Sequence, residues 1–116
     1  MGRLTTHVLD ISHGKSGQGL QIELYALTES RHLIKVVTTN QDGRCDQPLL
    51  QGEGLRVGVY ELVFHAGDYF RNLGTVLPEP PFVDQVVVRF GVADSNAHYH
   101  VPLLVSPWSY STYRGS

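Results

Sequence analysis

The sequence predicts an all-β sandwich, on three observations. Short runs with the two-residue alternation of strands recur along the chain, turn signals separate them at regular spacing, and only one short stretch reads as helix. A βαβ fold would need helices between its strands, and the pattern argues against it. The 116 residues suffice for one domain with a real core. No internal repeat or linker divides them, so residues 1–116 are read as one module.

The first strand is Leu4 to Ile11, rich in Thr, Val and Ile, and the glycine-rich turn His13 to Gly19 leads out of it. Leu20, Ile22, Leu24 and Ala26 then alternate with Gln21, Glu23, Tyr25 and Leu27, a half-buried strand. Glu29-Ser30-Arg31 is the bend into the strand His32 to Thr39, and Asn40-Gln41-Asp42-Gly43 is a tight turn with Arg44 directly after it. A polar connection, Gln51 to Gly54, precedes the strand Leu55 to Phe64. Gly67 to Leu73 is the helix, with Asp68 near its start and Gly74 as its stop signal. Pro78-Glu79-Pro80-Pro81 must be loop, and Val83 to Val92 is the next strand.

Asn96 to Ser116 holds two strand-like runs back to back, punctuated by Ser106-Pro107. Tyr99, Val101, Leu103 and Val105 form a core face, and His98, His100, Pro102 and Leu104 lie opposite, where a sheet meets water or another subunit. Trp108 and Tyr110 are read as packing residues. The final Tyr113-Arg114-Gly115-Ser116 reads as functional rather than frayed, since no charged or flexible tail follows it.

Composition narrows the function. Nine basic and eleven acidic residues without a basic stripe argue against nucleic acid or an anionic membrane as partner, and point to a small ligand. The single cysteine, Cys45, excludes an intrachain disulfide and fits a reducing compartment. No run approaches a membrane span and the first residues lack a signal-peptide core, so the cytoplasm is the expected location.

Among residues able to do chemistry, His98 and His100 place two imidazoles on one strand face about 7 Å apart. Taken alone the pair reads either as two solvated histidines or as part of a zinc site, with His7 as third ligand if the first strand lies nearby. Arg44 reads as a surface residue or as a binder of a planar anion or oxyanion. Cys45 lacks a nucleophile motif around it, and His13, His32 and His65 read as surface histidines at turns and strand ends.

Several stretches together resemble the transthyretin-related 5-hydroxyisourate hydrolase family of urate breakdown. They are His7-Val8-Leu9-Asp10, Asp42-Gly43-Arg44, Gly58-Val59-Tyr60-Glu61, Tyr69-Phe70, Pro81-Phe82, Tyr99 to Pro107 and the terminal Tyr113-Arg114-Gly115-Ser116. The likeness runs in register from Leu4 to Ser116, and the terminal motif with the histidines and arginine separates it from the hormone carrier transthyretin. One departure is Gly14-Lys15-Ser16-Gly17, where the family usually has a Gly-x-Pro-Ala-type turn.

The resemblance implies a transthyretin-like sandwich of two four-stranded sheets with one short helix, in a homotetramer whose central channel carries the sites. It also implies hydrolytic opening of 5-hydroxyisourate to 2-oxo-4-hydroxy-4-carboxy-5-ureidoimidazoline, with no cofactor and no metal. His7, Arg44 and His100 become the expected catalytic residues: the imidazoles move protons near neutral pH and the arginine holds the anionic substrate and the developing oxyanion. Substrate would meet His7, Arg44, Tyr113, Arg114, Gly115 and Ser116, with His98 behind the site or at the channel mouth. Which histidine is the base stays open, as do a carrier without turnover and a zinc protein using His7, His98 and His100.

Overall fold

The computed structural model describes residues 1–116, and its elements are nine strands, one α-helix and a single 3-10 turn at Gly52–Gly54. The strands are β1 (Arg3–Asp10), β2 (Lys15–Ser16), β3 (Gln21–Leu27), β4 (Arg31–Thr38), β5 (Leu50–Gln51), β6 (Gly58–His65), β7 (Gln85–Val92), β8 (His98–Val105) and β9 (Tyr110–Thr112). The helix α1 covers Ala66–Asn72. No helix is long and apolar enough to cross a membrane.

Two sheets face each other. One runs β4-β3-β6-β7, antiparallel throughout; the other runs β2-β1-β8-β9, with β5 paired to the start of β1. The implied two four-stranded sheets are therefore present, the second extended by β5. Between them lie Leu4, Val8, Ile22, Leu24, Leu62, Phe64, Phe70 and Leu103, all fully buried. Each such side chain contributes roughly 1.5–3 kcal/mol relative to exposure.

Long strands fall within three residues of their expected bounds, and the misses have local causes. Leu55 and Val83 are apolar and buried, but they pack against the core from outside the ladders. The two-residue strands β2 and β5 lie in stretches read as turn and connection, too short for any alternation to show. Gly74 stops α1 as expected: its φ is +83°, Gly74 N–H donates to Arg71 O at 2.9 Å, and Thr75 N–H donates to Phe70 O at 3.1 Å. Trp108 and Tyr110, expected to pack, are largely exposed; the Trp108 ring stacks on Phe82 at the surface.

The pairing that positions the site is β1 with β8, the parallel ladder at the centre of its sheet. Its register sets Arg3 beside His98, Thr5 beside His100 and His7 beside Pro102. Leu4, Thr6, Val8, Asp10 and Tyr99, Val101, Leu103, Val105 all point into the sandwich and are buried, so the histidines and Arg3 share the outward face. The far end of β1 is clamped to α1. Asp10, 1% exposed, accepts hydrogen bonds from Ser12 N–H and O–H, His13 N–H and Tyr69 O–H, the last at 2.7 Å. Burial alone would push that carboxyl up, but the hydrogen bonds from Ser12, Tyr69 and His13 outweigh it and hold it below its ordinary range.

Candidate active site

Arg44 reaches the outward face because of the turn before it. Gly43 adopts φ +73°, and its carbonyl accepts Val8 N–H at 2.8 Å, which docks the turn onto β1. A Cβ at Gly43 would lie 2.3 Å from Val8 O, so both the conformation and the close approach require glycine. Asn40 organises the rest: its Oδ1 accepts from Asp42 N–H (2.9 Å) and Arg44 N–H (3.2 Å), and its Nδ2 donates to Asp46 at 2.9 Å. The result is a bridge between His7 and Arg44.

His100 is fixed from two sides. Its Nδ1 is 2.8 Å from the Thr5 hydroxyl, and its carbonyl accepts Gly115 N–H at 2.7 Å. Pro102, which has no N–H to give, accounts for the form of the terminal segment: the β8–β9 ladder covers Leu103 to Val105, breaks at Pro102, and resumes in the same register as the bridge between His100 and Gly115. The Thr112 hydroxyl donates to Pro102 O at 2.8 Å across the break. A Cβ on Gly115 would stand 2.6 Å from His100 Cδ2, so only glycine lets the backbone lie against this ring.

These contacts outline a cavity of about 370 Å³ on the outward face, lined by Arg3, Thr5, Arg44, His98, His100 and Ser116 among others. His7 stands beside the lining, next along the outward face of β1. Arg44, His100 and Ser116 thus come together and His7 flanks them. Arg114 and Tyr113 do not join them within one chain. The Arg114 guanidinium lies 4.2 Å over the Tyr99 ring and donates to His98 O, while Arg114 and Tyr113 line a separate apolar hollow with Val88, Phe90 and Val101. The register sets Tyr113 opposite Pro102, and it is 60% exposed.

All three imidazoles have pKa values lowered from the ordinary histidine range, so they are neutral at neutral pH. For His100 burial comes first, then the Arg44 charge and the neighbouring histidines. Burial and Arg44 likewise lower His7, against an opposing hydrogen bond to the Asp42 backbone and the Asp42 charge. Burial, Arg3 and Arg114 lower His98. Neutral imidazoles beside guanidinium groups can accept a proton from water while a bound anion is held. The zinc alternative finds no support in the geometry: His7, His98 and His100 form no group able to hold a metal, and one ring nitrogen of each of the last two is occupied by Thr5. Burial and then Asp46 push the Cys45 thiol pKa up, which disfavours the thiolate that a nucleophile needs.

Thr5, Arg3 and Asn40 were missed as candidates. Alternation along β1 already places Arg3, Thr5 and His7 on one face, but only the parallel pairing with β8 reveals what Thr5 touches.

The model of the HIUase/Transthyretin family matches residues 4–115. A 5-hydroxyisourate hydrolase of Pseudomonas aeruginosa is 65% identical over 117 residues, covering 100% of this chain and 93% of that relative. Among solved structures, the chain superposes on 5-hydroxyisourate hydrolase of Klebsiella pneumoniae with a TM-score of 0.84 at 29% identity, over 100% of both chains. It also superposes on an (S)-allantoin synthase with a TM-score of 0.95 at 46% identity, covering 99% of this chain and spanning 44% of that longer one.

Proposed function

The chain belongs to the HIUase/transthyretin family, and from that premise we propose that it hydrolyses 5-hydroxyisourate, opening the six-membered ring to give 2-oxo-4-hydroxy-4-carboxy-5-ureidoimidazoline. One observation carries the reading beyond the likeness: the neutral imidazole of His100 and the Arg44 guanidinium line one outward-facing recess, and the neutral imidazole of His7 flanks it from the adjacent strand. A carrier has no need of proton-accepting groups poised beside an anion holder.

In this reading Arg44 binds the anionic substrate and offsets the negative charge that grows on the attacked carbonyl oxygen. An imidazole of His7 or His100 takes a proton from water as its oxygen adds to that carbonyl carbon. The tetrahedral centre then collapses, the carbon–nitrogen bond breaks, and the nitrogen leaves with a proton returned from an imidazole. Gly115 keeps the terminal segment against His100, and Ser116 closes the recess beside it.

We further place this face inside a homotetramer in the cytoplasm. The outward face carries half-buried His7, Leu9, His100 and Leu104 together with the exposed Tyr113 ring, a surface that an isolated sandwich leaves in water. A facing subunit would narrow the recess and bring Tyr113 to bear on substrate. Cys45, held as a thiol, fits a reducing compartment. The direct test adds purified protein to freshly generated 5-hydroxyisourate and follows its absorbance. Acceleration well above the spontaneous rate is expected, and decay at the spontaneous rate would refute the assignment.

A further inference from the structure

The Thr5 hydroxyl lies between two histidines, 2.7 Å from His98 Nε2 and 2.8 Å from His100 Nδ1. A hydroxyl has one proton to donate. If Thr5 donates to His98 Nε2, His98 carries its proton on Nδ1, and His100 must donate from Nδ1 to the Thr5 oxygen, which leaves His100 Nε2 bare. If Thr5 donates to His100 Nδ1, the proton of His100 is on Nε2 and His98 donates from Nε2. The two neutral rings therefore always share a tautomer, and one rotation of a hydroxyl switches both. No group within the chain hydrogen-bonds to His100 Nε2, the nitrogen left for the cavity that this ring lines.

We infer that His98, Thr5 and His100 form a proton relay in which Thr5 sets the tautomer of His100 and His98 stores the proton between the two halves of the reaction. This rests on the hydrolytic reading above. In the first half, His100 Nε2 takes a proton from the attacking water, His100 Nδ1 passes its proton to Thr5, and Thr5 passes its own to His98 Nε2. The hydroxide oxygen is then bonded to the carbonyl carbon, His98 is the imidazolium, and His100 is neutral with its proton on Nε2. The second half runs the chain backwards: His100 Nε2 protonates the departing nitrogen, Thr5 reprotonates His100 Nδ1, and His98 Nε2 reprotonates Thr5. One proton has moved from water to the leaving nitrogen, and all three residues are as they began.

The cycle answers how one ring serves as base and then as acid without waiting for solvent, because the stored charge sits one residue pair away. The surroundings keep the storage brief. His98 feels the charges of Arg3 on β1 and of Arg114 in the terminal segment, His100 those of Arg44 and His7, and Asp46 lines the same recess as a counter-charge. The arginines repel a resting imidazolium, so His98 holds the proton only while an oxyanion is present.

Three variants and one spectrum test this. Thr5→Val keeps the β-branched shape a strand favours but has no hydroxyl, and kcat should fall roughly 100-fold with KM little changed, the size of a lost proton-transfer device. Thr5→Ser should recover most of that loss. His98→Gln can still hydrogen-bond Thr5 but cannot hold a proton; relay predicts the same fall in kcat as Thr5→Val, whereas His98→Gln at the parent rate would overturn the relay. Imidazole 15N spectra of the parent protein, taken without substrate, should show His98 and His100 in the same tautomer. Opposite tautomers would overturn the Thr5 bridge even if turnover is confirmed, and a protein that shows the shared tautomer but no turnover would overturn the relay by way of the hydrolytic reading alone.

Discussion

Gly115→Ala is the perturbation that most sharply separates a catalytic terminal segment from a passive one. The new methyl group would stand 2.6 Å from His100 Cδ2 and 3.2 Å from Cγ, against a comfortable carbon–carbon separation of about 3.5–4.0 Å. Something must therefore give by about 1 Å. The ring is held by Thr5 at 2.8 Å, and the backbone by the 2.7 Å bond from Gly115 N–H to His100 O, so relief must break one of them. A misplacement of about 1 Å at a reacting group costs on the order of 100-fold in rate, near 2.7 kcal/mol of activation free energy. Stability should hardly move, because Gly115 is an end residue outside the core. The assay is kcat/KM on freshly generated 5-hydroxyisourate beside thermal melting. A variant that melts like the parent and turns over at the parent rate would refute the claim that the segment positions His100.

Further outcomes follow from the same geometry. Asn40→Ala removes three hydrogen bonds from the turn that presents Arg44, and should raise KM at a cost of about 1–2 kcal/mol in stability, read by steady-state kinetics and melting. The double variant His7→Ala, His100→Ala should be scarcely slower than the poorer single one, since groups acting as a unit lose their effect once; strictly additive losses would show independent roles. NMR titration should place His7 and His100 below 6.5, and Arg44→Gln should raise both, because the guanidinium disfavours imidazolium; unmoved midpoints would mean Arg44 is not in electrical contact. Sedimentation should give about four times the 12.9 kDa chain mass, and a fully active monomer would remove the facing-subunit model.

The fold was legible where one segment carries its own signal. Alternation over Tyr99 to Val105, the Gly74 stop and the turn at Asp42-Gly43 each depend on residues within a few positions, and the elements appear there. The ladder that makes the site was not legible, because β1 and β8 are separated by most of the chain and nothing local in either names its partner. For the same reason His7, Arg44 and His100 could be gathered only through resemblance, while Thr5 escaped notice as an ordinary strand residue. Arg114 was grouped with its sequence neighbours, yet a strand alternates faces: Gly115 turns to His100 and Arg114 turns the other way, onto Tyr99. Within one chain, adjacency in the motif does not bring Arg114 into the recess.

In the proposed reaction the arginine that receives the substrate also sets the strength of the bases that activate water against it, and the two effects oppose each other on binding. In the empty recess Arg44 lowers both His7 and His100, which keeps them unprotonated and able to accept, but a lowered pKa makes an imidazole a weaker base. An anionic substrate seated on Arg44 cancels much of that charge. At a few ångströms the interaction it offsets is on the order of 1–4 kcal/mol per charge pair, depending on how much water remains, so each imidazole regains basicity once the substrate is in place. The acid limb of kcat, which reports the loaded enzyme, should therefore lie at higher pH than the acid limb of kcat/KM, which reports the free enzyme, and in Arg44→Gln the kcat/KM limb should itself move to higher pH, because the guanidinium no longer opposes imidazolium. Coincident limbs in the parent would show that the substrate's charge never reaches the histidines, and an unmoved kcat/KM limb in Arg44→Gln would show that Arg44 binds without tuning.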